Sequence, residues 1–254
     1  MQALPTPATA KRRVALQEHI ATLRPMEIAH IDIWITALFG AGVAQLCWLA
    51  VMLRRRGMAP RTIWQSMAPL FSVWALMWPL YQNATWLWAG IGILLVLLLL
   101  AHSLKRPFWL HLRQAWSAPV QGSNTMHMWP PLSLIAALAV AAAFFQPIPE
   151  FGFSLALAAC LLFPLADLLD RIRYLRLGFP VHPEQTLLGH LGLMFFAAIL
   201  CAWSLHLYHG IDWHQLVIAT LLAGIGASIA RALLPHGWNL PGAVLAMGLI
   251  LWLL

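Results

Sequence analysis

Two carboxylates, Asp167 and Asp170, stand three residues apart in the stretch ADLLDRIRYLRLG, with Arg171, Arg173 and Arg176 close behind. On a helix that spacing puts both acids on one face. A pair of carboxylates could share a magnesium ion, and neighbouring guanidinium groups could grip phosphate, which together are the elements of phosphoryl transfer. The plain alternative is a helix end that anchors itself with arginine and neutralises itself with aspartate. A second candidate is His206 and His209, three apart at the end of an apolar run, with His214 just beyond. Such a pair could ligate a metal or a haem, or simply meet water and lipid headgroups at a membrane surface.

The elements that must position these residues are membrane helices. The chain has 254 residues, of which 61% are hydrophobic and 9% charged, whereas a soluble domain carries about 25% charged residues. Stretches without Asp, Glu, Lys or Arg run from Arg61 to Lys105, Arg113 to Glu150, Glu184 to Asp212 and Arg231 to the C-terminus, and about 20 apolar residues suffice for one crossing. The sequence therefore predicts an all-α, polytopic membrane protein of about eight helices, near 29–53, 64–81, 84–102, 130–147, 151–169, 187–208, 213–234 and 239–254. Residues 28–254 read as a single helical domain. Residues 1–27 read as a basic, amphipathic surface segment in which Leu16, Ile20 and Leu23 share a face, ended by Pro25. No cleavable signal peptide is expected, because no apolar stretch precedes residue 28.

The net charge of +7 does not indicate nucleic acid, because its location explains it. Eleven of the fifteen Lys and Arg fall in alternate connections: Arg54, Arg55, Arg56 and Arg61; Lys105, Arg106 and Arg113; Arg171, Arg173 and Arg176; and Arg231. The opposite connections, near 82–83, 148–150 and 209–212, hold none. By the positive-inside rule the basic loops are expected to be cytoplasmic, and the expected location is the inner, plasma membrane. With eight spans both termini then lie on the far side, although Lys11, Arg12, Arg13 and Arg24 run against that assignment. The three cysteines, Cys47, Cys160 and Cys201, lie inside expected spans without metal-type spacing and read as packing residues. The fourteen tryptophans read as belts at the helix ends, and Gly90, Gly92, Gly224 and Gly226 as points of close helix packing.

Several stretches, in order, resemble the membrane family of CTP-dependent lipid-alcohol kinases, the phytol and dolichol kinases, which is related to the phosphatidate cytidylyltransferases. That family carries Gly-Asp, then Ala-Asp and Gly-Arg, then a Lys-Thr/Ser-x-x-Gly-Ser turn. Here LFPLADLLDR and QTLLGHLGLMF match at Ala166, Asp167, Arg171, Thr186 and Gly189. The later family pattern Glu-Ala-Leu, Pro, Gly, Asp-Asn-Leu, Pro is met by RALLPHGWNLP at Ala232, Leu233, Pro235, Gly237, Asn239 and Leu240. A weaker match is RTIWQSMAPLFSVWALMWPLY at 61–81, and the resemblance spans about 60–254.

The departures fall on the ionisable positions. The family's Gly-Asp falls on Leu162-Phe163, its Lys on Gln185, the following Ser on His190, its Glu on Arg231, its Asp on Trp238, and an early Lys and His on Thr62 and Gln65. Magnesium needs hard oxygen ligands, which Phe163 and Trp238 do not offer.

The resemblance with these departures implies a non-catalytic relative: a membrane-complex subunit, an assembly factor, or a binder of an isoprenoid or quinone-like lipid. Arg171, Arg173, Arg176, Thr186, Gly189, Arg231 and Asn239 would then face a headgroup, a phosphate or a partner subunit, with no cofactor. The alternative it leaves open is an active, divergent kinase with Asp167, Asp170 and Arg171 handling magnesium and CTP. A third reading, from the histidines, is a haem-carrying electron-transfer subunit using His206, His209 or His214.

Overall fold

The computed structural model describes residues 7–83, 85–119, 126–145, 148–172, 182, 184–207, 212–235 and 237–253, with side chains left aside for 7–29, 118–119 and 126–127. The fold is all-α. In chain order the helices are α1 (Pro7–Arg55), α2 (Pro60–Met67), α3 (Ser72–Met77), α4 (Thr85–Ser103), α5 (Pro107–Trp116), α6 (Trp129–Phe145), α7 (Pro149–Leu157), α8 (Phe163–Leu169), α9 (Leu187–His206), α10 (Trp213–Leu233) and α11 (Asn239–Leu253). Among the described residues the strand pairing is confined to two residues with two, Ala118–Pro119 antiparallel to Met126–His127.

Among the described residues, five helical stretches are long and apolar enough to cross a membrane: His30–Arg55, Thr85–Ser103, Pro149–Leu169, Leu187–His206 and Trp213–Leu233. Trp129–Phe145 and Asn239–Leu253 are apolar but shorter. The expected helix over 64–81 is broken. Pro69 and Pro79 each start a 3-10 turn, Ala68–Phe71 and Trp78–Leu80, because a proline nitrogen cannot donate to the helix ladder. Irregular backbone at membrane depth survives where protein surrounds it, and here Phe71, Trp74, Ala75 and Trp78 are buried. Phe39 stacks on Trp74 with ring centroids 4.8 Å apart, and Trp74 meets Trp78 at 5.4 Å. Trp116 is buried as well. These three tryptophans are therefore core residues rather than belt residues, while Trp34, Trp48 and Trp252 remain exposed.

The first helix also corrects the sequence reading. It does not stop at Pro25 but continues unbroken from Pro7 to Arg55. A proline there removes only the bond to the Ala21 carbonyl, and good helix formers on both sides carry the helix past it. Its other end stops sharply: Met58 N–H bonds the Leu53 carbonyl at 3.2 Å and Gly57 N–H bonds Arg54 at 3.0 Å. This is a Schellman closure with Gly57 in the left-handed region at φ 83°.

The stretch 149–169 is the most buried of the five candidate spans. It is not one regular helix: between α7 and α8 residues Ala158–Leu162 form a π-turn, where Pro164 has withdrawn the bond to Cys160. One extra residue in the turn rotates everything after it by roughly 100°, which sets the face on which Asp167 and Asp170 emerge. Helices α9, α10 and α11 pack side by side, α11 closes against α6, and α8 packs on α9. Gly224 faces Ala197 and Met194 across the α9–α10 contact, where a Cβ would collide.

Candidate functional site

The ends of α8 and α10 and the start of α9 meet in a cluster of buried polar groups. Asp170 sits at the C-terminal end of α8, one turn beyond Asp167, and both turn toward Arg231, in the last turn of α10. Arg231 Nη2 donates to Asp167 Oδ1 and to Asp170 Oδ2, each at 2.6 Å. Arg231 and Asp170 are both buried, whereas the Asp167 side chain is half exposed. Such distances are those of charge-assisted bonds.

The other oxygen of Asp170 is also engaged. Its Oδ1 accepts from the Thr186 backbone N–H at 2.8 Å and from the Thr186 hydroxyl at 2.9 Å. Thr186 is the N-cap of α9, and its hydroxyl oxygen accepts in turn from Gly189 N–H at 3.1 Å. The glycine is required by space: a Cβ on Gly189 would run into the Asp170 carboxylate. Thus the two residues that tie α8 to α9 do so through backbone capping.

A second branch runs from the same place. Gln185 Nε2 donates to the Arg231 carbonyl at 3.2 Å, so its Oε1 accepts from His190 Nε2–H at 3.0 Å. That leaves His190 Nδ1 to accept from the Ser228 hydroxyl at 2.6 Å. His182 Nε2 donates to the carbonyl of Leu234, which caps the end of α10. Outside the cluster, Arg61 at the start of α2 pairs with Glu184 at 2.8 Å across the exposed rim.

This arrangement decides what the acidic pair can do. Asp170 accepts three hydrogen bonds, and a guanidinium lies between it and Asp167. The three charges sum to minus one. Arg231 lies between the two carboxylates, bonded to one oxygen of each. Among the described residues no group of three His, Cys, Asp or Glu is placed to hold a metal ion. Asp167 and Asp170, the pair expected to share magnesium under the kinase reading, are both bridged by Arg231, which supplies a counter-charge between them.

Of the residues singled out from sequence, Asp167, Asp170, Thr186, Gly189 and Arg231 come together. Arg171 is exposed just past α8, and Arg173 and Arg176 lie outside the described residues. Asn239 starts α11 and its Oδ1 accepts from Leu240 N–H at 2.9 Å. His206 and His214 are exposed, His206 makes an edge contact with Trp213 at 5.7 Å, and His209 lies outside the described residues. The expected histidine metal or haem set therefore lies partly outside the described residues.

Sequence reasoning did not assign a role to the branch through Gln185, His190 and Ser228, and it missed Asp32. That carboxylate, fully buried in α1, accepts from the backbone N–H groups of Gln82 and Asn83 at 3.0 and 3.1 Å. The signal was present: a lone acid inside an apolar stretch must have a partner. Comparison of the chain with family models, with curated proteins and with solved structures returns no match.

Proposed function

We propose that this chain is a non-catalytic polytopic membrane protein with the frame of the phytol and dolichol kinases, serving as a subunit or assembly factor of a membrane complex. One observation carries the reading: Arg231 bridges Asp167 and Asp170 at 2.6 Å. The acids that a metal–nucleotide pair would need are committed to holding three helices together. The crevice between Trp64, Phe71, Leu94, Trp116, Pro131, Leu134 and Ile135 has a volume of about 10 Å³, too small for an isoprenoid chain, since one water needs about that much. Arg171, exposed just past α8, is placed to meet anionic headgroups or a partner subunit.

The decisive experiment uses the purified protein in proteoliposomes with magnesium and CTP or ATP, and with phytol, farnesol or dolichol as acceptor. The expected result is neither nucleotide binding nor phosphate transfer. Turnover that disappears in Asp167→Asn, with the protein still folded, overturns the proposal in favour of a divergent kinase. The distribution of Lys and Arg supports the plasma membrane with the basic loops facing the cytoplasm. A cysteine replacing Arg113 is then labelled by a membrane-impermeant maleimide in inside-out vesicles and protected in intact spheroplasts.

A further inference from the structure

From Ile33 to Pro149 the chain contains no Asp or Glu, yet it carries seven Lys and Arg. Of those seven, Arg61 is paired with Glu184 from a later part of the chain, and Arg54 donates to the Met58 carbonyl. The other five are Arg55, Arg56, Lys105, Arg106 and Arg113. All are exposed, and none forms an ion pair among the described residues. The Arg231 cluster, by contrast, sets two acids against one cation.

The fold brings these five to one end of the bundle. Asp32 holds the N–H groups of Gln82 and Asn83, so the crossing of α1 and that of α4 start side by side. The Cβ position of Gly40, eight residues past Asp32, lies 3.6 Å from Ile93, ten past Asn83. The two helices therefore continue in the same direction. At about 1.5 Å per residue, Arg55 is about 35 Å from the Asp32 tie and Lys105 about 33 Å. Both reach the opposite boundary of a hydrocarbon layer about 30 Å thick. Helix α5 follows at once and packs on α1, α2 and α4, burying Leu112, Ala115 and Trp116. Its other face exposes Arg106, Leu110 and Arg113, at spacings of four and three.

We propose that the ends of α1 and α4, with the outer face of α5, form a binding surface for anionic phospholipids that selects them over zwitterionic ones. Cations at headgroup level attract negative lipids, and guanidinium groups hold phosphate oxygens in pairs. No carboxylate on these elements repels the phosphate or competes for the cations. Leu104 and Leu110 are exposed beside the charges. One lipid covers both kinds of group, its acyl chain against leucine and its headgroup against the cation. A soluble acidic partner such as a nucleic acid would meet the charge alone and leave the leucines in water. The inference rests on α1, α2, α4 and α5 and stands independently of the Arg231 cluster and the function proposed from it.

The test is native mass spectrometry of the full-length protein released from nanodiscs of equal phosphatidylglycerol and phosphatidylcholine. Phosphatidylglycerol is expected to stay bound in excess. Its preference should fall about fivefold for each charge removed, the effect of one Lys or Arg at a membrane surface. The variant measured combines Arg106→Gln with Arg113→Gln. Arg106→Lys with Arg113→Lys keeps both charges and should keep the preference, which separates lost charge from disturbed packing. Equal retention of the two lipids, a preference indifferent to the Gln pair, or one lost equally in the Lys pair would each overturn the proposal. Polyglutamate that binds this surface in phosphatidylcholine nanodiscs, and that phosphatidylglycerol does not displace, would assign it to a soluble acidic partner and overturn it too.

Discussion

Arg231 decides the character of the polar cluster, and its removal has a calculable effect. Replacing one partner of a buried pair leaves the other charge uncompensated, which costs about 3–5 kcal/mol. Arg231→Met should therefore lower stability by that amount, measured by unfolding in mixed micelles. Asp167→Asn should cost under about 1 kcal/mol, because half of that side chain is exposed and solvent screens its pairing. Gly189→Ala drives a methyl group into the Asp170 carboxylate, and overpacking of this kind costs about 1–3 kcal/mol; the same unfolding assay reads it. The identities of these residues were legible in sequence, Arg231 among them. Their juxtaposition was not, since Asp167 and Arg231 are 64 residues apart, and nothing in either local pattern says that one neutralises the other.

At the level of elements, the apolar runs located the long helices to within a few residues, because membrane length and composition leave few options. What the runs hid is where proline changes the outcome. Pro25 leaves α1 intact, Pro69 and Pro79 break the next crossing, and Pro164 follows a π-turn. The same residue gives three results because the surroundings differ: strong helix formers flank the first, buried aromatic neighbours Phe71, Trp74 and Trp78 support the irregular backbone around the second two, and a buried helix absorbs the last. Asp32 belongs to this scale too, since it holds the connection between the broken crossing and α4. Asp32→Ala strands two backbone N–H groups in a buried place, each costing about 1–3 kcal/mol. Hydrogen exchange at Gln82 and Asn83 should then accelerate well before exchange in α9 and α10.

For the molecule as a whole, composition gave the all-α membrane class directly, since a chain with 9% charge cannot solvate a globular surface. The three-helix ion cluster joins segments that are made at different times. Asp167 and Asp170 leave the ribosome 64 and 61 residues before Arg231. At about 5–20 residues per second, the acidic helix waits about 3–13 seconds for its counter-charge. During that interval α8 carries two uncompensated carboxylates, and the insertion machinery must shelter it or let it slip back toward water. A messenger truncated just before codon 231 therefore yields an orphaned acidic helix, which membrane proteases should clear much faster than a product ending after α10. Pulse-chase labelling of the two truncations would read that difference as a half-life.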